Sequence, residues 1–200
     1  MAEEKQNTRR RRFLAAATSI LGLAGVGTLA GSFVASMRPS ARARAAGAPV
    51  EVDISLLKEG QMLVVEWRGK PVWIVRRSNQ MLSGLGQLRG QLADPDSDIA
   101  QQPEYAQNEF RSIRPDILVV LGVCTHLGCA PTKNFEIGAS SGLSNDWLGG
   151  FFCPCHGSKF DLAGRVYKNV PAPTNLEVPP HSFLSEGRVL IGVSENQESG

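Results

Sequence analysis

Two short units hold the residue types that could do chemistry in this 200-residue chain. They are Cys124-Thr125-His126-Leu127-Gly128-Cys129 and Cys153-Pro154-Cys155-His156-Gly157-Ser158. All four cysteines of the chain fall within them. Cysteine use is therefore local, as in a site, and not spread along the chain as in a disulfide scaffold. Each unit offers a thiol and an imidazole within one turn of chain, then a glycine that permits a tight bend. A set of two Cys and two His admits two kinds of metal. Zinc would take it as a tetrahedral structural site. A [2Fe–2S] cluster would take two thiolates on one iron and two imidazoles on the other.

Three features favour the cluster. Each unit has an additional cysteine, Cys129 and Cys155, which a four-ligand zinc site does not need; in an exported domain the two could pair. Glycine, serine and backbone amides crowd the second unit, and cluster sulfurs need such donors. The chain also opens on what reads as an export signal for folded proteins. Two ferric ions and two sulfides sum to about +2, so two thiolates and two neutral imidazoles leave a neutral centre, where four thiolates would give about −2. A neutral centre takes an electron more readily, so the potential lies well above that of a four-cysteine ferredoxin.

The elements that must position these units begin with an anchor. From Phe13 to Met37 there is no charged residue. As a helix this span would run about 37 Å, enough to cross a hydrocarbon core of roughly 30 Å with some tilt. Arg9, Arg10, Arg11 and Arg12 stand directly before it. By the positive-inside rule they hold residues 1–12 in the cytoplasm, although Arg38, Arg42 and Arg44 on the far flank weaken the asymmetry. Arg10-Arg11-Arg12-Phe13-Leu14 resembles a twin-arginine export signal, which favours a periplasmic body. The competing reading is a cleaved signal with small-residue sites near Ala41 to Ala46; the length of the apolar run argues for a retained, single-pass inner-membrane anchor. Gly27 and Gly31 form a G-x-x-x-G pair that could dock another helix. Residues 38–49, rich in Ala, Arg, Gly and Pro, read as a flexible linker. The first 44 residues hold eight Lys/Arg against two acids, which leaves the body slightly acidic. No basic patch with interleaved aromatics occurs there, so nucleic acid is excluded as a partner.

Residues 50–200 read as one mostly β domain. Glu51 to Ile54, Gln61 to Trp67 and Val72 to Arg77 read as strands, the last two as a hairpin around Arg68-Gly69-Lys70-Pro71. Ser78 is placed to cap a short helix with Leu82, Leu85, Leu88 and Leu92, though Gly84, Gly86 and Gly90 weaken it. Residues 94–116 read as loop. Ile117 to Val123 is a continuous apolar strand delivering Cys124, and Phe151-Phe152 deliver Cys153 in the same way. Arg165 to Tyr167 and Val189 to Val193 follow turn glycines as further strands. His181, after Pro179 and Pro180, is expected in a surface loop. Trp67, Trp73 and Trp147 are expected in the core.

The two units, taken in order, resemble the two-box signature of Rieske proteins of the cytochrome bc type. Pro171-Ala172-Pro173-Thr174-Asn175-Leu176 is similar to the proline loop that covers the cluster in that family. The resemblance is detailed over residues 117–180, and the anchor, linker and β-body agree in outline. It implies an all-β, antiparallel Rieske sandwich with a small cluster-binding β subdomain, preceded by one transmembrane helix. It implies Cys124, His126, Cys153 and His156 as ligands of one [2Fe–2S] cluster, and a Cys129–Cys155 disulfide. Ser158 matches the serine that donates to a bridging sulfide, and Leu127 the leucine that shields the cluster beside the quinone contact. Pro171 opens the covering loop. The chain departs from the family at Phe160, where a tyrosine often donates to a ligand sulfur, with Lys159 before it in place of a common histidine. Asn169 replaces a usual glycine, and asparagine tolerates left-handed backbone.

The resemblance also implies a function: a subunit of a quinol–cytochrome c reductase, accepting an electron and a proton from quinol at His126 or His156 and passing the electron to a c-type cytochrome. The implied partners are a cytochrome b subunit, a c-type cytochrome and quinol, within a dimeric complex of a respiratory chain. Two alternatives remain at this stage. One is the Rieske subunit of another exported redox enzyme such as arsenite oxidase; the other is a structural zinc module. A soluble dioxygenase ferredoxin is disfavoured by the anchor and by Cys129 and Cys155.

Overall fold

The computed structural model describes residues 2–41, 43 and 47–193. Arg42, Arg44, Ala45 and Ala46 of the expected linker lie outside the described residues, as do residues 194–200. The chain divides into two compact units, residues 1–45 and 46–200.

The first unit is helix α1, Ala2–Ser36. Its stretch Asn7–Ser36 is long and apolar enough to cross a membrane, with a mean hydropathy of 1.8. The helix starts well before the apolar span, so the four arginines continue it. Three of its hydroxyls bond within the helix. Thr18 donates to the carbonyls of Leu14 and Ala15, Thr28 to Gly25 and Ser36 to Phe33, which leaves those groups paired in a medium without water. Pro39 follows closely, and the residue before a proline is pushed out of helical backbone.

The second unit contains three three-stranded antiparallel sheets. The strands are β1 (Val50–Asp53), β2 (Met62–Trp67), β3 (Lys70–Arg76), β4 (Ile117–Leu121), β5 (Thr132–Asn134), β6 (Gly150–Cys153), β7 (Ser158–Asp161), β8 (His181–Ser185) and β9 (Arg188–Ile191). The sheet orders are β1-β9-β8, β2-β3-β4 and β5-β6-β7.

The middle sheet explains the continuous apolar run of β4. Side chains alternate across a strand, and here both faces are covered. Val72, Ile74, Ile117, Val119 and Leu121 pack with Val52, Val189 and Ile191 of the first sheet and with Ile54, which follows β1. Trp73, Val75, Leu118 and Val120 pack the other way, with Cys124, Phe151, Cys153, Phe160 and Leu176. The ligand-bearing hairpin therefore rests on the back of a buried sheet. Trp73 stacks on Phe151, ring centroids 4.9 Å apart. Gly122 lies against the same indole, and any side chain there would run into it.

Ser78 caps helix α2 (Asn79–Leu85) as expected: its hydroxyl accepts the Met81 amide at 3.4 Å. The helix then tightens to a 3-10 segment, Gly86–Gln91. Leu85, Leu88 and Leu92 are buried. The tryptophans Trp67, Trp73 and Trp147 are core residues, as expected.

Two expectations need correction, for Arg165 to Tyr167 and for His181. Arg165 to Tyr167 is no ladder strand: Val166 and Tyr167 form isolated bridges to Phe160 and Leu92. The Val166 amide is taken by the Asn175 side chain instead. Residues 94–116 are loop, as expected, with one 3-10 turn, Glu104–Ala106; Asp94, Ser97, Arg111 and Ser112 within it are buried. His181 is not a surface residue. It is fully buried as the first residue of β8. Prolines, lacking an N–H, are tolerated at the entry to an edge strand, so Pro179-Pro180 marks where a strand begins.

His181 has a measurable consequence. Its Nδ1 lies 2.9 Å from the Pro179 carbonyl, which only accepts, so Nδ1 carries the proton. Nε2 is buried without a partner, and burial lowers the imidazole pKa from its ordinary 6.5. Below that value the unfolded chain binds a proton that the folded chain refuses, so stability falls with pH. His181→Asn is expected to lose less stability than wild type between pH 7.5 and pH 5, read as urea midpoints. Equal losses would remove His181 as the source.

Candidate metal centre

Both ligand loops are built on one turn. Loop 1 reaches Cys124 three residues after β4 ends at Leu121, two residues short of the expected strand end at Val123; loop 2 is the tip of the β6–β7 hairpin, closed by the Cys153–Ser158 pair. In each, the amide four residues on returns to the cysteine carbonyl: Gly128 to Cys124 at 3.0 Å and Gly157 to Cys153 at 2.9 Å. Both glycines sit at positive φ, +82° and +78°, where a side chain would be strained. The Cys124 amide also donates to the Cys129 carbonyl at 2.8 Å. Cys129 and Cys155 are joined as a disulfide, tying one loop to the other.

The remaining two thiols, of Cys124 and Cys153, are free and 2% exposed. Burial pushes the Cys124 thiol pKa up, and the Cys153 thiol beside it adds to this; the His126 amide and the Ser158 hydroxyl oppose the shift. The His126 and His156 rings face each other edge-on, centroids 4.8 Å apart and planes at 87°. His126 Nδ1 is buried with no hydrogen-bond partner, a costly state for a polar atom unless something binds it. His156 lies exposed, and Leu127 beside the histidines is 72% exposed. Cys153 also lies near the disulfide, the three sulfurs being within 4.8 Å of one another. Two of those three are bonded to each other, so that trio is not a ligand set.

The proline loop is fastened to both ligand loops. Thr125 Oγ1 donates to the Thr174 carbonyl at 2.7 Å. The Ala172 amide donates to Ser158 Oγ at 3.0 Å, leaving the buried Ser158 hydroxyl its own proton to give to sulfur. Asn169 enters the loop at φ +58°, in the left-handed region anticipated for it, while Pro171 is exposed. Phe160 is fully buried in the cluster of side chains that contains Cys124 and Cys153. Its ring offers sulfur no donor. Lys159 is half-buried on the same strand. The Thr125 clamp and the Asn175 bond to Val166 were not singled out from sequence. Their signal is the pair Thr174-Asn175 directly after Pro173, polar residues that have no solvent reason to close a buried loop.

Two free buried thiols, two convergent imidazoles and an orphaned Nδ1 fit a [2Fe–2S] cluster with mixed ligation. Comparison with known proteins agrees. Residues 49–180 match the Rieske [2Fe-2S] domain, and residues 1–40 match the "Ubiquitinol-cytochrome C reductase Fe-S subunit TAT signal". The chain belongs to the Rieske [2Fe–2S] family. The chain is 57% identical, over 192 residues, to the "Ubiquinol-cytochrome c reductase iron-sulfur subunit" of Allochromatium vinosum, covering 96% of this chain and 92% of that one. The Bradyrhizobium diazoefficiens protein of the same name is 40% identical over 195 residues, covering 96% and 98%. Among solved structures, a chain of "Hyperthermophilic respiratory Complex III" is similar at 25% identity and a TM-score of 0.46, covering 86% of this chain and 98% of that one.

Proposed function

We propose that this chain is the membrane-anchored iron–sulfur subunit of a quinol–cytochrome c reductase, with Cys124 and Cys153 on one iron and His126 and His156 on the other. A bound cluster of this type supplies one-electron chemistry at a potential high enough to oxidise quinol. The observation that carries the reading is the pair of perpendicular imidazoles at an exposed tip, backed by two buried free thiols. With His126 Nδ1 turned inward, Nε2 is the nitrogen left to hold or release a proton. Exposed His156 has the same capacity, and exposed Leu127, next to His126 in sequence, offers an apolar contact there. Thr125 and Ser158 hold the proline loop over the thiols. In this reading α1 anchors the chain in the cytoplasmic membrane with residues 1–12 inside and the body in the periplasm. Residues 38–49 tether the Rieske domain between a cytochrome b subunit and a c-type cytochrome in a dimeric complex.

The test is EPR of the purified protein after reduction by a quinol. A signal whose average g value lies below the free-electron value, lost in Cys153→Ser, is the expected result. A colourless protein that releases zinc would overturn the reading.

The donor count around sulfur gives a further expectation. Hydrogen bonds to sulfur favour the reduced, more negative centre. One kcal/mol of differential stabilisation is about 40 mV for one electron. Phe160→Tyr should raise the midpoint potential and Ser158→Ala should lower it, each by about 40–80 mV if a hydrogen bond to a charged sulfur changes by about 1–2 kcal/mol on reduction. Protein-film voltammetry showing neither shift would refute this account of tuning.

A further inference from the structure

Behind the ligand hairpin four charged side chains are almost wholly buried: Arg77, Arg111, Arg165 and Asp161, none more than 1% exposed. Asp161 Oδ2 accepts from Arg165 Nε at 2.8 Å and Nη2 at 2.7 Å, and its Oδ1 accepts the Ala163 and Arg165 amides. Arg77 donates to the Phe110 and Leu162 carbonyls and to the Ser112 hydroxyl. Arg111 donates to the Ala163 and Gly164 carbonyls and to Gln102 Oε1. Three consecutive carbonyls of one turn are thus held by guanidinium groups.

Charge does not balance in this set. One fully buried carboxylate faces three cations. The next, Asp94, is also buried, but accepts the Asp98 and Ile99 amides and the Asn175 side chain. Counting both carboxylates still leaves a positive excess, and Asp116, which also acts on Arg77, is partly exposed and already paired with Arg76 and Arg114. A neutral side chain suffices to tie a buried carbonyl, as Asn175 does for Asp94, so the charge is more than these bonds require. Arg77 Nε and Arg111 Nε have no partner. Arg111 is also held at φ +49°, a conformation that residues other than glycine seldom adopt. Burial lowers both guanidinium pKa values to about 10, which leaves them charged at neutral pH.

The set is close to the metal centre. Asp161 ends β7, which begins at Ser158 opposite Cys153; Asp161 itself pairs with Gly150. Three residues of strand separate the two pairs, roughly 10 Å. The intervening Phe151 and Phe160 are fully buried, so the field along that path is screened much less than at the surface.

We propose that Arg77, Arg111 and Arg165 are tuning residues: their uncompensated buried positive charge stabilises the added electron on the cluster and raises its midpoint potential. This rests on the ligand assignment proposed above. The test is voltammetry with parallel EPR on the full-length protein and on Arg77→Gln, Arg77→Lys, Arg111→Gln and Arg111→Lys. The Gln variants should shift the potential downward with unchanged g values, and the Lys variants, which keep the charge, should recover most of the shift. No shift in the Gln variants overturns the proposal, as does an equal shift in Gln and Lys, which would assign the effect to geometry. Should the arginine variants fail to hold the cluster, Asp94→Asn removes a negative charge within electrostatic reach of Arg111. It must raise the potential, and a fall or no change overturns the proposal. Absence of the EPR signal in wild type would instead sink the ligand assignment.

Discussion

Paired substitution of Cys129 and Cys155 by alanine lowers the stability of the Rieske domain by about 3.5 kcal/mol, the chain-entropy value for a closed loop of this length. The two cysteines lie 26 residues apart, and the bridge removes the open-loop states of the unfolded chain. Part of the loss falls on the ligands themselves. Among the described residues loop 1 and loop 2 share no strand pairing; their other ties are the edge-on His126–His156 contact, the contact of Cys124 with Cys153 and Ser158, and the bonds through the proline loop at Thr125 and Ser158. Without the bridge the Cys124–His126 and Cys153–His156 pairs are held in register by those weaker bonds. The expected result is a lower urea midpoint together with faster loss of the EPR signal on warming. A loss under about 1 kcal/mol would count against the bridge as the main fastening.

Asp161→Ala has a comparable effect by a different route. The substitution leaves three guanidinium groups buried beside a turn that has lost its carboxylate. Removing one partner of a buried ion pair costs about 3–5 kcal/mol, because the other charge remains without compensation. Asp161→Asn should lose less, since one oxygen can still accept the Ala163 and Arg165 amides. The Arg89–Asp96 pair is the contrast. Both of its side chains are more than half exposed, and Arg89→Ala should change stability by no more than about 1 kcal/mol. Urea midpoints of the three variants, measured together, check the order. Equal losses for Asp161→Ala and Arg89→Ala would show that burial does not set the cost.

The candidate metal centre was legible in the sequence because its chemistry is local. Each thiol, imidazole and turn glycine lies within five residues, so spacing alone restricts the geometry. The strands β2, β3 and β4 were legible too, through β-branched residues and the unbroken run at Ile117, which reports burial on both faces. The buried arginines were not. Arg77 is held by the Leu162 carbonyl 85 residues away, and no local period records that a charged side chain will be needed there. His181 was misread for a related reason. Pro179 and Pro180 carry a strong local signal for loop, whereas the burial of the next residue depends on Tyr105, whose hydroxyl accepts the His181 amide at 2.8 Å. Arg165 to Tyr167 looked like a strand because its side chains suit one, but the Asn175 side chain takes the Val166 amide a ladder would need.

The cysteine bridge also makes a covalent ring of the segment between its ends. That ring encloses β5, the turn Gly138–Ser141 and β6. Much of residues 139–146 is exposed, and exposed loop tips are where proteases cut first. A nick there leaves both halves joined, so the cut chain migrates as one species on a non-reducing gel and separates only when thiol is added.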